Sequence, residues 1–254
     1  MALGARPAAP AARLRLLDAA RGFAIVQMLA YHLCYDLNHF SYIHVAMLQD
    51  AGWIAWRTAI VSQFLFLAGF SLALRAPGPH ANPLRTRQFW RRWLQIAACA
   101  AGVTLASSWL FGARFIWFGV LHFVALAQVL LAPLLALGGA NIALGIVVLA
   151  LGLQLQLAAF AGDGLSWIGF SPVKPQTEDF VPLFPWLGVM LLGIGLAALW
   201  QGRRKASAVA GQRGAAMLRP FVALGRWPLT IYMLHQPLFF GTLSVLEAAR
   251  HGLH

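Results

Sequence analysis

The sequence is poor in charge, and poorest in negative charge. Seven Asp and Glu stand among 254 residues, and charged residues of both signs make up 10%. Soluble domains carry about 25%, so this chain cannot cover a water-facing surface with polar groups. Cysteine is nearly missing as well. Cys34 and Cys99 both lie inside apolar stretches, with no CxxC and no Cys/His spacing. That argues against a zinc module and a disulfide framework and leaves two cysteines that pack as small hydrophobes. No internal repeat and no low-complexity linker is seen.

What is there is apolar. Hydrophobic residues make up 60% of the chain, and the mean hydropathy is +0.71. Runs near the length that crosses a bilayer fall at roughly 16–37, 52–75, 91–111, 116–137, 139–160, 183–201 and 221–247. They predict an all-α membrane protein, a bundle of about seven transmembrane helices. The turn Leu137-Gly138-Gly139-Ala140-Asn141 suits two antiparallel neighbours, and the last run is long enough to span and continue along the outer surface. Residues 1–12, rich in Ala and Pro, read as a disordered tail, 13–247 as a single transmembrane domain and 248–254 as a C-terminal tail. Arg6, Arg13 and Arg15 give the start the look of a signal-peptide n-region. The apolar run that follows is long and lacks a small-residue cleavage site, so it reads as a retained first helix.

The formal charge of +12 raises nucleic acid as a partner, but position excludes it. The basic residues lie between apolar runs, as they do where a membrane protein anchors its cytoplasmic edges. With the N-terminus cytoplasmic and the C-terminus periplasmic, the inner edges hold Arg6, Arg13, Arg15, Arg21, Arg75, Arg85, Arg87, Arg91, Arg92, Arg203, Arg204, Lys205, Arg213, Arg219 and Arg226. Only Arg57, Arg114, Lys174 and Arg250 fall outside, while all the acids except Asp18 do. An even number of helices spoils that separation. The chain is expected in the inner (cytoplasmic) membrane, with the lipid bilayer as its solvent. The outer loop of about 161–182, with its aromatics, Pro and acids, can cap a cavity facing outward.

Ionisable groups at membrane depth are costly and mark functional candidates. His32, His122 and His235 fall in the middle to outer half of the membrane, with Gln63 and Gln236 at similar depth. His32 and Asp36 are four apart and share one helical face. A carboxylate there can hold the imidazole in one tautomer and raise its basicity. Equally, Asp36 can be solvated at the outer interface while His32 bonds a neighbouring helix. His39, His44, His251 and His254 read as ordinary loop and tail residues, and no metal is assigned. Asp18 and Arg21 suggest a local ion pair. Arg87, Arg91 and Arg92 form a basic cluster that anchors the membrane edge and can also grip phosphates. Gly69 and Ser71 permit close helix packing.

Some stretches are more specific. Arg15-Leu16-Leu17-Asp18-Ala19-Ala20-Arg21-Gly22-Phe23-Ala24-Ile25, continuing through Met28, His32, Tyr35 and Asp36, resembles the opening of the bacterial branch of the heparan-alpha-glucosaminide N-acetyltransferase catalytic-domain family. Phe64–Ser71, Phe115–Phe123, Leu183–Gly188, Leu224-Gly225-Arg226 and Ile231–Pro237 follow in the family's order. The resemblance covers about 13 to 242. It implies a transmembrane acyltransferase that moves an acetyl or other acyl group from cytoplasmic acyl-CoA to a sugar amine or hydroxyl across the membrane. Carried over, His32 is the central catalytic residue with Asp36 supporting it. His122 and His235 line the pocket with Gln63 and Gln236, and Arg21, Arg87, Arg91 and Arg92 face acetyl-CoA. The family's lysosomal members are longer, so acceptor recognition differs, and a small-molecule or cell-envelope glycan is the expected acceptor. Two other readings stay open: a small transporter using the histidines as a proton relay, although no inverted repeat is seen, or a membrane scaffold. Oligomeric state is not legible.

Overall fold

The computed structural model describes residues 11–76, 82–162, 164–204 and 217–251. Among them run eight α-helices: α1 (Ala11–His39), α2 (Ala51–Arg75), α3 (Arg87–Phe111), α4 (Val120–Leu131), α5 (Asn141–Gln154), α6 (Leu183–Arg204), α7 (Arg219–Gly225) and α8 (Pro228–His251). None of the described residues forms a β-strand, and Phe118 and Phe180 make an isolated parallel bridge. Among the described residues, five segments are long and apolar enough to cross a membrane: Ala51–Arg75, Arg87–Arg114, Pro133–Gln154, Leu183–Gln201 and Pro228–Arg250. The expected tails lie largely outside the described residues, but α1 already opens at Ala11 and α8 continues to His251.

The chain divides into two compact units, Met1–Ile60 with Val209–His254, and Val61–Ala208. In the first, α1 packs along α7 and α8. Its buried positions Leu17, Ala24, Ile25, Met28, Tyr31 and Asp36 recur at helical spacing and form one stripe. Two glycines set how closely α1 and α7 meet. A Cβ on Gly22 would stand 1.9 Å from the Phe221 carbonyl oxygen, and one on Gly225 would stand 1.8 Å from that of Asp18. The backbones touch because neither residue has a side chain. This gives a physical reason for the glycine of Arg21-Gly22 and that of Gly225-Arg226. After α1, Asn38 Oδ1 accepts the Val45 amide at 2.8 Å, and Asp50 Oδ1 caps α2 by accepting the Gly52 and Trp53 amides at 2.8 and 3.2 Å.

The run 221–247, expected as one helix, is broken. The Arg226 and Trp227 amides turn back onto the Ala223 and Leu224 carbonyls at 3.4 and 3.1 Å, and Pro228 opens α8. Proline lacks an amide proton and suits the first position of a helix.

The second unit is built around Leu65, Leu72, Phe123, Leu131, Met190, Leu191 and Ile194. Gly69 lies against α6, where a Cβ would stand 2.1 Å from the Met190 carbonyl oxygen, as its expected packing role requires. Ser71 turns its hydroxyl back to the Leu67 carbonyl. The Thr86 hydroxyl caps α3 by accepting the Phe89 amide at 3.2 Å. Trp93 Nε1 ties α3 to α4 by donating to the Ala125 carbonyl at 2.9 Å. The fourth run, expected over 116–137, is helical in the α sense only from Val120 to Leu131. Pro133 then starts 3-10 turns through Ala140, with Gly138 at φ +55°, and buried Asn141 donates to the Leu134 and Gly138 carbonyls at 2.8 and 2.9 Å. The fifth run, expected to reach 160, leaves the α-helix after Gln154. α5 then packs chiefly along α6, so the turn does not make α4 and α5 each other's main neighbours.

Candidate active site

In the first unit, α1 and α8 face each other through two polar rungs. On one, His32 and His235 stand with ring centroids 4.8 Å apart and planes tilted by 62°. On the other, Gln236 Nε2 donates to Asp36 Oδ1 at 2.7 Å. The sequence sets up both. Four-residue spacing puts His32 and Asp36 on one face of α1, and His-Gln at 235 and 236 supplies a partner for each.

Asp36 and His235 are buried, and His32 and Gln236 are half-buried. Asp36 is 1% exposed and His235 6%. Four side-chain atoms of the group have no hydrogen-bond partner: His32 Nδ1, Asp36 Oδ2, His235 Nε2 and Gln236 Oε1. An unmet buried polar atom costs about 1–3 kcal/mol, so a fold that gathers several at one place carries a stability burden there. Their polarity is legible. His235 Nδ1 lies 2.8 Å from the Tyr232 carbonyl oxygen. A carbonyl only accepts, so Nδ1 carries the proton and Nε2 presents a bare lone pair. Gln236 has committed its amide nitrogen, which leaves its carbonyl as an acceptor. The unmet atoms of Asp36, His235 and Gln236 are therefore all acceptors, a set that suits a guest with N–H or O–H donors.

An aromatic group stands beside them. Tyr31, 6% exposed, sets its ring edge-on to His32 at 6.0 Å and packs on Trp53 and Trp56 at 5.9 and 5.6 Å. Sequence reasoning missed it, although Tyr31 adjoins His32 and the two Trp open an apolar run. Further along α1, a cavity of about 200 Å³ is lined by Tyr35, Asn38, His39, Val45, Met47, Leu48 and Gln49. His39, read as an ordinary loop residue, is on its wall.

Asp36 does not orient His32 through a hydrogen bond, since one carboxylate oxygen bonds Gln236 and the other is unmet. Arg21 makes the expected local pair, Nη1 to Asp18 Oδ1 at 2.7 Å, with both side chains largely buried.

The remaining candidates belong to the second unit. Gln63 is half-buried on α2. His122 is fully engaged. The Gly119 amide donates to Nδ1 at 3.3 Å, so Nε2 carries the proton and donates to Thr104 Oγ1 at 2.9 Å. That hydroxyl donates in turn to the Ile116 carbonyl at 2.8 Å. Nearby, Asp179 Oδ2 accepts the Val120 amide at 2.9 Å at the start of α4. The end of the 161–182 loop is laid along the α3–α4 connection. The Glu178 and Val181 amides donate to the Arg114 and Phe118 carbonyls at 3.1 and 3.2 Å, and Thr177 Oγ1 donates to Phe115 O at 2.6 Å. Arg87 and Arg91 are exposed at the opening of α3, and Arg92 is half-buried. Among the described residues, no three His, Cys, Asp or Glu gather in a group suited to a metal ion.

No curated protein and no solved structure matches the chain. The family described as Heparan-alpha-glucosaminide N-acetyltransferase, catalytic, matches it over residues 13–237. That stretch runs from the opening of α1 to the Pro237 that follows the His235-Gln236 pair, and so takes in both rungs. The chain belongs to this family of membrane acetyltransferases.

Proposed function

We propose that the protein transfers an acyl group, acetyl first of all, from acyl-CoA to an amine or hydroxyl of an extracytoplasmic sugar. The observation that carries this reading is the pair of rungs, where two facing imidazoles, a carboxylate and an amide hold buried polar atoms without partners in a chain of an acetyltransferase family. His32 takes the proton of the attacking amine or hydroxyl, a service typically worth about 10²–10⁴-fold. Asp36 Oδ2 and Gln236 Oε1 receive the acceptor's other donors. Arg87 and Arg91, exposed at the head of α3, grip the phosphates of acyl-CoA with Arg92, since guanidinium binds phosphate in bidentate fashion.

The membrane arrangement belongs to the same proposal. Adding α1 and α4 to the five spanning-length segments gives seven crossings. The N-terminus is then cytoplasmic and the C-terminus periplasmic in a bacterial inner membrane, supported by the separation of basic from acidic residues.

The test is acetyl-CoA consumption by detergent-purified protein offered a panel of amino sugars and cell-envelope glycans, with His32→Ala beside it. CoA release that needs both an acceptor and His32 is expected. Near-normal release by His32→Ala, or no CoA binding and no release with any acceptor by folded protein, overturns the reading. A response to a proton gradient in place of CoA thioester identifies a transporter instead.

A further inference from the structure

We propose that His235, and not Asp36, sets the working tautomer of His32, through a hydrogen bond from His32 Nδ1–H to His235 Nε2. Only the kinetic part of the test rests on the proposed transferase function.

The argument begins at the backbone. The Tyr232 carbonyl fixes the proton of His235 on Nδ1, which turns Nε2 into an acceptor. That nitrogen is buried and unmet, and so is Nδ1 of His32 on the facing ring. The two orphans are a matched donor and acceptor. Two imidazoles joined by an N–H···N bond of about 2.9 Å stand with centroids about 5 Å apart, and the observed 4.8 Å is already that separation. The Tyr232 bond holds the His235 ring, so rotation of the His32 ring is what is needed. Asp36 bonds Gln236 through Oδ1 at 2.7 Å and keeps Oδ2 unmet, so that oxygen is the competing acceptor, and Asp36→Asn decides between the two. The pair is enclosed by rings, with Tyr31 edge-on to His32 at 6.0 Å and Tyr232 and Phe239 beside His235 at 5.8 and 6.2 Å. In so apolar a wall a neutral acceptor can orient a base without burying a second charge.

The consequence is an ordered relay. With its proton held on Nδ1 toward His235, His32 presents Nε2 as the basic nitrogen. The acceptor's X–H proton passes to that Nε2 as X attacks the thioester carbonyl and the C–X bond forms. Collapse of the tetrahedral intermediate breaks the C–S bond, and His32 returns the proton to the departing thiolate, giving CoA thiol. During the step His32 is an imidazolium whose Nδ1–H is received by His235. His235 is thus a positioning residue.

The test uses full-length protein labelled with ¹⁵N-histidine in detergent micelles. Ring-nitrogen NMR reads each tautomer without any substrate. In the unmodified protein His32 carries its proton on Nδ1. His235→Phe, which keeps a ring but removes the acceptor, is expected to lose that preference. Turnover should fall about a hundredfold with KM for both substrates nearly unchanged. His235→Gln, whose amide oxygen can accept, keeps the tautomer and recovers about tenfold of the turnover. Asp36→Asn leaves the His32 tautomer where it was. Should His235→Phe not fold, His235→Leu takes its place.

A His32 tautomer indifferent to removal of the His235 acceptor, or one that moves in Asp36→Asn, overturns the proposal. So does His235→Gln behaving like His235→Phe. Absence of acyl transfer in the unmodified protein sinks the proposed function alone, because the tautomer measurement still decides this one.

Discussion

Each unit of the protein sets a histidine and an aspartate on or beside a helix, and the two pairs are wired differently. In the second unit, His122 has both ring nitrogens engaged and Asp179 caps α4. In the first, His32 and His235 each keep a buried nitrogen unmet, and Asp36 keeps an unmet oxygen. A polar side chain with its bonds complete is fastening the fold. One held dry and incomplete costs stability, and such a cost persists where a guest or a reaction completes the bonding. The difference separates candidates that sequence alone puts on one footing.

The sharpest way to break this comparison is to remove the charge of Asp36 without its shape. In Asp36→Asn the side-chain carbonyl can still accept from Gln236. If the carboxylate serves the reaction, turnover should fall about a hundredfold, the scale of a misplaced reacting group. Removing an incompletely paired buried charge should also raise the thermal midpoint. Losing activity while gaining stability is the signature of a functional site. A mutant with normal turnover, or one that melts earlier, would put Asp36 with the fastening residues.

His122→Ala is expected to do the reverse. It leaves the Gly119 amide without its acceptor and takes the Nε2 donor from Thr104, at about 1–3 kcal/mol for a buried polar group. For a chain of this length each kcal/mol lowers the midpoint by about 2–4 °C. The folded fraction should turn over as the parent does. A collapse of turnover at unchanged stability would instead move His122 into the reacting site, as its place in the Phe115–Phe123 stretch suggested.

How far the sequence could have led is clear from the same residues. Apolar length marked the helices, because a lipid-facing segment must be apolar throughout. It hid their ends: Pro133 and Pro228 were present as stop and start signals, but hydropathy averaged over a run passes through them. That is why α4 emerged too long and α7 and α8 emerged as one. Four-residue spacing brought out His32 with Asp36. It could not bring His235 to His32, since they lie at opposite ends of the chain and meet only by α1–α8 packing. The Tyr232 carbonyl was out of reach altogether, because main-chain oxygens look alike in every residue. Gly22 stood in a recognisable motif, yet its reason, the Phe221 carbonyl 1.9 Å from where a Cβ would be, is tertiary.

The mildest change tests the fastening side of the comparison at its weaker member. Asp179 reaches from the end of the 161–182 loop to the first amide of α4, where a carboxylate both satisfies an open N–H and complements the helix dipole. Asp179→Ala removes both effects, and a loss of about 0.5–2 kcal/mol is the range for such caps. Asp179→Asn keeps an acceptor oxygen and should recover most of it, so what separates the two variants is the hydrogen bond and not the charge. Thermal unfolding in detergent measures both, with CoA release followed on the same samples. If Asp179→Asn melts normally but releases little CoA, the charge at 179 serves the reaction, and the His122–Asp179 pair can no longer be read as fastening alone.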